Sequence, residues 1–316
     1  ERQFTDYNDL IASDVDCVVV CNTTSYHADP AIAAARAGKH VLIEKPMCTT
    51  VAEAERIASA VAESGVVAMV GYMKQHDPAY LHARELVESM QDIRLVKVEH
   101  LHPDNSLHLK RFALHRPTDL DPSIREAMTR DERRLTAEAL GVDPDRLAPD
   151  AHKAFFWVLN SMIHDISNLS GLFGPPKRVV SSTMWADGNC ITCTLEYATS
   201  FRAIATWVDL PDLQTFRETV EVYGSEERVI VSFPTGFSIG LPTEVDHHGM
   251  DADGKPWVQR RSWQENPFRL ELLQFHRAIT TGAPVLTPVE TAVHDIRLAG
   301  DIVKAAMRTE GFRHAD

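Results

Sequence analysis

The segment HVLIEKPMCTT ends an apolar stretch in two opposite charges and a proline. Residues 41–43 predict a strand core, and Glu44, Lys45 and Pro46 follow it directly. In an open α/β sheet, ligands bind beyond the carboxyl ends of the strands, which is where Glu44 and Lys45 would lie. Pro46 biases Lys45 toward an extended backbone. Because burial can lower the pKa of a lysine, Lys45 is a candidate proton donor and acceptor. The alternative is a surface ion pair with Glu44.

A second candidate is the segment FFWVLNSMIHDISNL, which predicts a buried helix. Its apolar positions follow a helical period: Val158, Met162, Ile163, Ile166 and Leu169. Asn160 and His164 are four residues apart, which would place them on one helix face, so that the amide could hold the imidazole. Histidine is the side chain whose unperturbed pKa lies nearest neutrality. The alternative is a hydrogen-bonded core histidine.

Alternating strands and helices would position Lys45. The pattern predicts strands at 15–21, 40–44 and around VVAMVGY, separated by helices at about 29–37 and 51–63. Thr50 and Glu53 form a capping box at the start of the second helix. Continuous apolar strands with helical links are typical of a doubly wound parallel sheet.

The rhythm changes after about residue 76. Strands joined by short turns dominate from residue 177, and two closing helices follow at about 267–280 and 288–308. The predicted fold class is α/β plus α+β. Residues 1–76 form an incomplete doubly wound Rossmann-type domain. Residues 77–316 form an α+β substrate-binding and oligomerisation domain with a large, mostly antiparallel open sheet, and the closing helices pack back on the first domain.

Composition excludes several classes of partner. The 316 residues carry a formal net charge of −13, which disfavours nucleic acid and anionic membrane surfaces. The apolar runs are far shorter than the roughly 18–20 residues of a membrane span. No basic segment with an apolar core opens the sequence, and we therefore expect a cytoplasmic protein.

Cysteine and histidine spacing predicts no metal site. Cys190 and Cys193 form a C-x-x-C within an alternating strand pattern, so they would point to opposite faces and are expected to be buried thiols. His100 and His102 share a strand face but lack a recognisable ligand set. A likelier role for His102, Arg111 or the segment 103–150 is to cover a substrate.

The motifs are similar to those of a known family. VDCVVVCNTTSYHADPAIAAARAGKHVLIEKPMCTTVAEAERI, followed by VGYMKQHDPAY, resembles the Gfo/Idh/MocA family of NAD(P)-dependent oxidoreductases, named for glucose–fructose oxidoreductase and inositol dehydrogenase. The resemblance extends over nearly the whole chain. It depends on the order and spacing of the H-A turn, A-G-K-H-V, E-K-P and V-G-Y, since no single one of these pieces is specific.

The resemblance implies roles for particular residues. The expected lining of the nicotinamide end of the cofactor is Asn22, Thr23, Thr24 and His27. Glu44 would face the nicotinamide ribose, and His164 would share proton transfer. Lys45 is expected both among the cofactor-binding residues and in contact with the oxygen of the reacting carbon. Many sugar and polyol dehydrogenases of the family have aspartate where this chain has Asn160. An amide does not ionise, so a Lys–Asp–His relay cannot operate as usual. Either His164 works with Lys45 alone, or this subfamily uses the site differently.

The implied activity is hydride transfer between NAD or NADP and a secondary alcohol of a sugar, polyol or inositol-like substrate. Two alternatives are other nicotinamide redox chemistry on a carbohydrate and a non-catalytic sensor or subunit on this scaffold. A homo-oligomer formed through the open face of the C-terminal sheet is expected, with no nucleic-acid or membrane partner.

The first testable prediction concerns the cofactor. None of the 15 glycines belongs to a G-x-G-x-x-G motif, which in the resembled family precedes the region matched here, together with the residues that select NAD or NADP. These 316 residues are therefore expected to bind nicotinamide cofactor weakly, and a chain with about 60 further upstream residues to bind it tightly. Calorimetric titration of both chains measures the difference. Equal, tight binding would contradict the prediction.

Overall fold

The computed structural model describes residues 2–110, 112–114, 119–199, 201–237, 240–309 and 311. These residues form two sheets and ten α-helices. The strands are β1 Cys17–Val20, β2 His40–Glu44, β3 Ala68–Gly71, β4 Ile93–Pro103, β5 Arg178–Trp185, β6 Cys190–Glu196, β7 Arg202–Leu210, β8 Arg217–Gly224, β9 Arg228–Phe233, β10 Thr243–Met250 and β11 Pro256–Trp263. The helices are α1 Tyr7–Ile11, α2 Ala28–Arg36, α3 Val51–Ser64, α4 Pro78–Ser89, α5 Ser106–Leu109, α6 Pro122–Leu140, α7 Pro149–Trp157, α8 Ile163–Phe173, α9 Pro267–Thr281 and α10 Val289–Thr309.

The first sheet is parallel, in the order β1-β2-β3. Its middle strand is apolar because both faces are covered, and Val41, Leu42 and Ile43 are all buried. Thr50 and Glu53 form the predicted capping box at the start of α3. The carboxyl ends of the three strands therefore meet at one edge, where Glu44 lies beside Gly71.

The second sheet has the order β11-β10-β9-β8-β4-β7-β6-β5. All its pairs are antiparallel except β4 with β7, which confirms the prediction of a large, mostly antiparallel sheet. The central strand β4 pairs with β7 on one side and β8 on the other. In the β4–β8 register, His100 lies opposite Glu218, so a histidine and a carboxylate share the middle of the sheet.

A nearly continuous helical segment crosses the buried side of this sheet. The helices α7 and α8 are joined by a π-helical turn over Val158–Met162. The five apolar positions predicted for the buried face are all buried in the structure. Single π-helical turns often occur at functional sites, because they change the direction of the side chains that follow.

Close contacts attach α8 to the segment that follows β3. The Tyr80 hydroxyl donates to the Asn168 carbonyl at 2.8 Å, and the Gln75 amide donates to the Ser167 carbonyl at 2.8 Å. A Cβ at Gly171 would lie 2.3 Å from the Tyr80 oxygen, so any larger residue would force these elements apart. This packing fixes residues 72–80 relative to α8.

The closing helices lie against the first part of the chain. The helix α10 packs on α3, where Arg297 donates to Glu55 at 2.8 Å, and α9 packs on residues 73–76. The segment 103–150, which is expected to cover a substrate, contains α5 and α6. Arg111 lies outside the described residues. Within the described part of the chain, no helix has the length and apolar character needed to cross a membrane.

Candidate active site

A cavity of about 380 Å³ opens where the first sheet ends and faces the large sheet. It is lined by residues from both sheets and from the α7–α8 segment: Glu44, Lys45, Gly71, Met73, Lys74, His100, His102, Phe156, Trp157, Asn160, Ser161, His164, Phe216, Glu218, Thr235, Gly236, Phe237 and Phe268. All three residues predicted to carry the chemistry, Lys45, Asn160 and His164, contribute to this lining. The volume is within the range of roughly 300–1,000 Å³ typical of small-molecule sites.

Lys45 points across the cavity toward the π-helical turn. Its Nζ donates to the backbone carbonyl of Asn160 at 2.8 Å, and its backbone N–H donates to the carboxylate of Glu44 at 3.0 Å. The alternative of a surface ion pair is therefore wrong, since the contact with Glu44 uses the main chain. Burial lowers the pKa of Lys45 to about 8; Lys74 acts in the same direction, whereas Glu44 and Glu218 oppose it. An amine with this pKa exchanges protons readily near neutral pH.

His164 is buried and lines the same cavity. Burial lowers its pKa well below the usual value, and the nearby charges of Lys45 and Lys74 act in the same direction. The imidazole is consequently neutral at pH 7. Its Nδ1 has no hydrogen-bond partner among the described residues, so the ring is not held by an amide.

Asn160 corrects one prediction. Its side-chain oxygen accepts from Thr24 Oγ1 at 3.3 Å, and its amide nitrogen donates to the carbonyl of Phe156 at 3.0 Å. The π-helical turn changes the spacing that an α-helix would give, so a separation of four residues does not bring this amide to His164. Asn160 instead joins two parts of the site. Its side chain accepts from Thr24 in the turn after β1, and its own main-chain carbonyl accepts from Lys45.

The predicted cofactor residues divide into accessible and buried ones. Asn22 and Thr23 are exposed and Thr24 is half-buried, at the carboxyl end of β1. Their hydroxyl and amide groups, with the Glu44 carboxylate nearby, suit the ribose hydroxyls and carboxamide of a nicotinamide nucleotide. His27, however, is only 2% exposed, and its two ring nitrogens lie 2.9 Å from the Pro46 carbonyl and 2.8 Å from the Asn22 carbonyl. The prediction that its side chain lines the cofactor site does not fit this burial, because the ring is enclosed between the two turns.

Four ionisable side chains form a buried network in the cavity wall: Lys74, His100, Asp165 and Glu218. Lys74 donates to both oxygens of Glu218, and His100 Nδ1 lies 2.8 Å from Asp165 Oδ2. Burial raises the pKa of Asp165. Burial also opposes ionisation of Glu218, but Lys74 and His100 outweigh it and lower the pKa of Glu218. The network therefore holds a lysine cation and a carboxylate anion inside the protein.

The same network has the residue types of a metal site. Ligand atoms of His100, Asp165 and Glu218 lie within 4.8 Å of one another. However, the Lys74 amine already contacts both Glu218 oxygens, and a bound cation would have to displace it. The geometry therefore favours an internal ion pair over a metal centre.

Aromatic rings lie beside this network, since His102 is 5.8 Å from His100. The indoles of Trp157 and Trp207 stack at 4.8 Å, and His102 lies 5.9 Å and 5.5 Å from them. Burial lowers the pKa of His102 to about 4, so this ring is neutral and acts as part of the wall. A flat, neutral surface of this kind suits the C–H face of a small ring.

Sequence reasoning missed Lys74, Glu218, Asp165 and Trp157. Lys74 lies in the motif VGYMKQHDPAY, but nothing local marks it as buried. Glu218 and His100 become neighbours only through the pairing of β4 with β8, two strands that are far apart in the sequence. An acidic residue within the apolar strand RETVEVYG was the one available signal.

Comparison with known proteins identifies the first part of the chain. Residues 1–72 match the family model described as Oxidoreductase family, NAD-binding Rossmann fold (GFO_IDH_MocA). A 4-carboxy-2-hydroxymuconate-6-semialdehyde dehydrogenase of a Sphingobium species is 38% identical over 97 residues, covering 28% of this chain and 31% of that protein. The scyllo-inositol 2-dehydrogenase (NAD(+)) of Bacillus subtilis is 35% identical over 83 residues, covering 26% and 24%. The aligned part thus spans less than a third of these relatives' length.

Solved structures share the fold over almost the whole chain. A UDP-N-acetylglucosamine 3-dehydrogenase from Acidithiobacillus ferrooxidans has a TM-score of 0.68 at 18% identity, covering 97% of this chain and 83% of that one. A biliverdin reductase from Synechocystis, solved with biliverdin and NADP+, has a TM-score of 0.66 at 15% identity, covering 96% and 83%. These likenesses confirm the predicted fold class, a Rossmann-type part followed by a large mixed sheet. For residues 1–72, the family match confirms the resemblance recognised in the sequence.

Proposed function

From the premise that residues 1–72 carry the NAD-binding Rossmann fold of the Gfo/Idh/MocA oxidoreductases, we propose that the protein is an NAD(P)-dependent dehydrogenase of secondary alcohols. Its substrate is a sugar, polyol or inositol-like molecule bound in the cavity of about 380 Å³. Residues 1–76 belong to the cofactor part, and residues 77–316 form the substrate-binding and oligomerisation part. The protein acts in the cytoplasm as a homo-oligomer.

Residues at the carboxyl ends of β1 and β2 would hold the cofactor. Asn22, Thr23 and Thr24 would bind its nicotinamide end, and Glu44 would accept from a ribose hydroxyl. The bound nicotinamide supplies the hydride acceptor for oxidation and the hydride donor for reduction. His27 acts indirectly, because it contacts the carbonyls of both turns and so holds their spacing.

Lys45 carries the proton. In its neutral form it takes the proton of the substrate hydroxyl as hydride leaves the same carbon, and in its charged form it returns that proton to a carbonyl oxygen. The single observation that carries this proposal is the position of its amine. Lys45 Nζ lies in the cavity with a pKa lowered to about 8 and a backbone carbonyl as its hydrogen-bond partner.

His164 orients the substrate rather than ionising. A neutral imidazole in the cavity can donate to or accept from the reacting hydroxyl without adding a second charge beside Lys45. Asn160 replaces the usual carboxylate, so the relay ends at Lys45 and the backbone carbonyl that accepts from it. In this shorter arrangement, the proton that Lys45 takes from the substrate passes from its amine to solvent.

A screen of polyols, inositols and monosaccharides with NAD+ and NADP+, run on the longer chain of the cofactor titration, tests the proposal directly. The expected result is nicotinamide reduction with one sugar or polyol class and one preferred cofactor. A non-catalytic sensor is the competing interpretation, and it predicts ligand binding without turnover for every substrate and both cofactors.

The pH dependence gives the second testable prediction. Oxidation requires neutral Lys45, so kcat/KM for oxidation is expected to rise with pH through about 8, and kcat/KM for reduction to fall over the same range. Lys74→Met removes a cation that lowers the Lys45 pKa. It should therefore move the rising limb of the oxidation pH profile and the falling limb of the reduction pH profile to higher pH. Glu218→Gln removes an anion that raises it, and it should move both limbs to lower pH.

Initial rates between pH 6 and 10 in both directions measure these limbs. The opposite sign of the two shifts is the decisive readout, because general damage to the site would lower the rates without moving the limbs in opposite directions. Shifts of the same sign would contradict the assignment of the titrating group to Lys45.

A further inference from the structure

A second cavity of about 370 Å³ adjoins the first. The two share five residues of their lining: Met73, Lys74, Thr235, Gly236 and Phe268. The second cavity extends from this shared boundary toward the start of α9 and the end of β9, and it adds Asp77, Phe233, Leu241 and Gln264. Nothing in the proposed reaction uses this space.

The second cavity lies on the side away from the cofactor. Its described lining contains no residue of β1 or β2 or of the turns that follow them, whereas the first cavity includes Glu44 and Lys45. A molecule that presents its reacting carbon to Lys45 would therefore extend past Lys74 into the second cavity. The occupant of this space is a continuation of the substrate, and not part of the nucleotide.

Exposed apolar side chains support a bound molecule across both cavities. Phe156 and Phe237 line the first, Phe112 and Leu241 the second, and Phe268 both, and each of the five is more than 40% exposed. Large apolar side chains that are exposed around a concave surface usually belong to a ligand or partner site, whereas single exposed apolar residues elsewhere on a surface are ordinary. A ligand in the two cavities would cover all five.

The polar groups of the second cavity define the charge of this ligand. Gln264 and Glu265 supply amide and carboxylate oxygens. Asp77 adds a negative charge to the lining, although its two oxygens already accept from the Ala79 N–H and the Thr243 hydroxyl. Lys74 is the cation among the described lining residues, and its amine is held by both Glu218 oxygens. A phosphate or carboxylate group would therefore meet acidic side chains and no available cation. Aromatic faces with carboxylate and amide acceptors instead suit a neutral ring that carries hydroxyl groups.

We propose that the substrate is a neutral glycoside of two rings, with the oxidised ring beside Lys45 and the second ring in the cavity formed by Phe233, Leu241 and Gln264. This inference rests on the proposed function only for the choice of the oxidised ring. Lys74 lies at the boundary, where it faces the linkage between the rings. The two cavities are of similar size, as two rings require.

Calorimetric titration with cellobiose, maltose, glucose and myo-inositol tests the proposal without turnover, with and without NADH. At least one disaccharide is expected to bind about tenfold more tightly than glucose. Leu241→Trp fills the second cavity from an exposed position, and it should weaken that disaccharide about tenfold while changing glucose binding less than about twofold. Leu213→Trp, at an exposed leucine outside both cavities, is the control and should change neither.

The outcomes separate the two proposals. One outcome is that a disaccharide binds, that Leu241→Trp weakens its binding about tenfold, and that no bound sugar reduces NAD+ or NADP+. This outcome supports the two-ring site and refutes the dehydrogenase. Turnover of monosaccharides or inositols with disaccharides binding no better, or with Leu241→Trp having no selective effect, supports the dehydrogenase and refutes the two-ring site. Failure of both disaccharides to bind also refutes the two-ring site.

Discussion

Replacing Lys45 by methionine is expected to lower kcat for alcohol oxidation by about 10²–10⁴-fold, the usual contribution of a positioned acid–base group. Methionine keeps much of the apolar stem of the side chain but cannot carry a proton. The hydrogen bond from Nζ to the Asn160 carbonyl would also be lost. Because the role proposed for Lys45 is proton transfer with the substrate, cofactor affinity should change far less than turnover. Steady-state kinetics and cofactor titration of the same preparation measure both.

Lys177→Met is the matched control, since that side chain is 65% exposed at the start of the large sheet. It should leave kcat within about twofold, as expected for a surface change away from the site. A Lys45→Met protein that turns over at the parent rate would refute the assigned role of Lys45. A parent protein that binds sugar and never reduces the cofactor would favour the sensor interpretation instead.

The sequence predicted the elements near Lys45 well because local signals agree there. The strand His40–Glu44 was predicted with its observed bounds, since apolar residues, a charge pair and Pro46 each mark the same ending. The capping box fixed the start of α3 in the same way. Where composition, hydrophobic period and capping all indicate the same structure, that structure can be predicted without knowledge of the tertiary packing.

Asn160 shows where this reasoning fails. The period of apolar residues across 158–169 is compatible with an α-helix, and burial of that face was predicted correctly. A π-helical turn leaves almost no trace in such a period, but it changes the direction of the side chain at residue 160. The local sequence pattern therefore predicted the position of the helix, but it could not predict the direction of the Asn160 side chain.

Glu218 shows a second limit, since its role depends on pairing between distant strands. A carboxylate in a strand is ordinarily read as solvent-facing, and the alternative requires the register of β8 against β4. Only that register brings Glu218 to His100 and, through the folding of residues 72–80 onto α8, to Lys74. Buried ion pairs made by elements far apart in sequence are therefore the least predictable part of this site.

The Glu218→Gln variant is expected to lose roughly 3–5 kcal/mol of unfolding free energy, the cost of leaving a buried charge without its partner. The side chains of Lys74 and Glu218 are 8% and 0% exposed, so water cannot replace the lost carboxylate. The residues that the pair joins belong to the segment after β3 and to the centre of the large sheet. The first transition of a urea titration, followed by tryptophan fluorescence, gives the loss.

Glu55→Gln provides the comparison, because it removes the ion pair of Glu55 with Arg297. The side chain of Glu55 is 60% exposed and that of Arg297 is 50% exposed. That variant should lose no more than about 1 kcal/mol. The double variant Lys74→Met/Glu218→Gln removes both charges and should be more stable than Glu218→Gln alone, since no unpaired lysine remains inside the protein. A Glu218→Gln loss as small as that of Glu55→Gln would mean that the Lys74 amine reaches water or another acceptor, and the assignment of a buried charge network to the cavity wall would then be wrong.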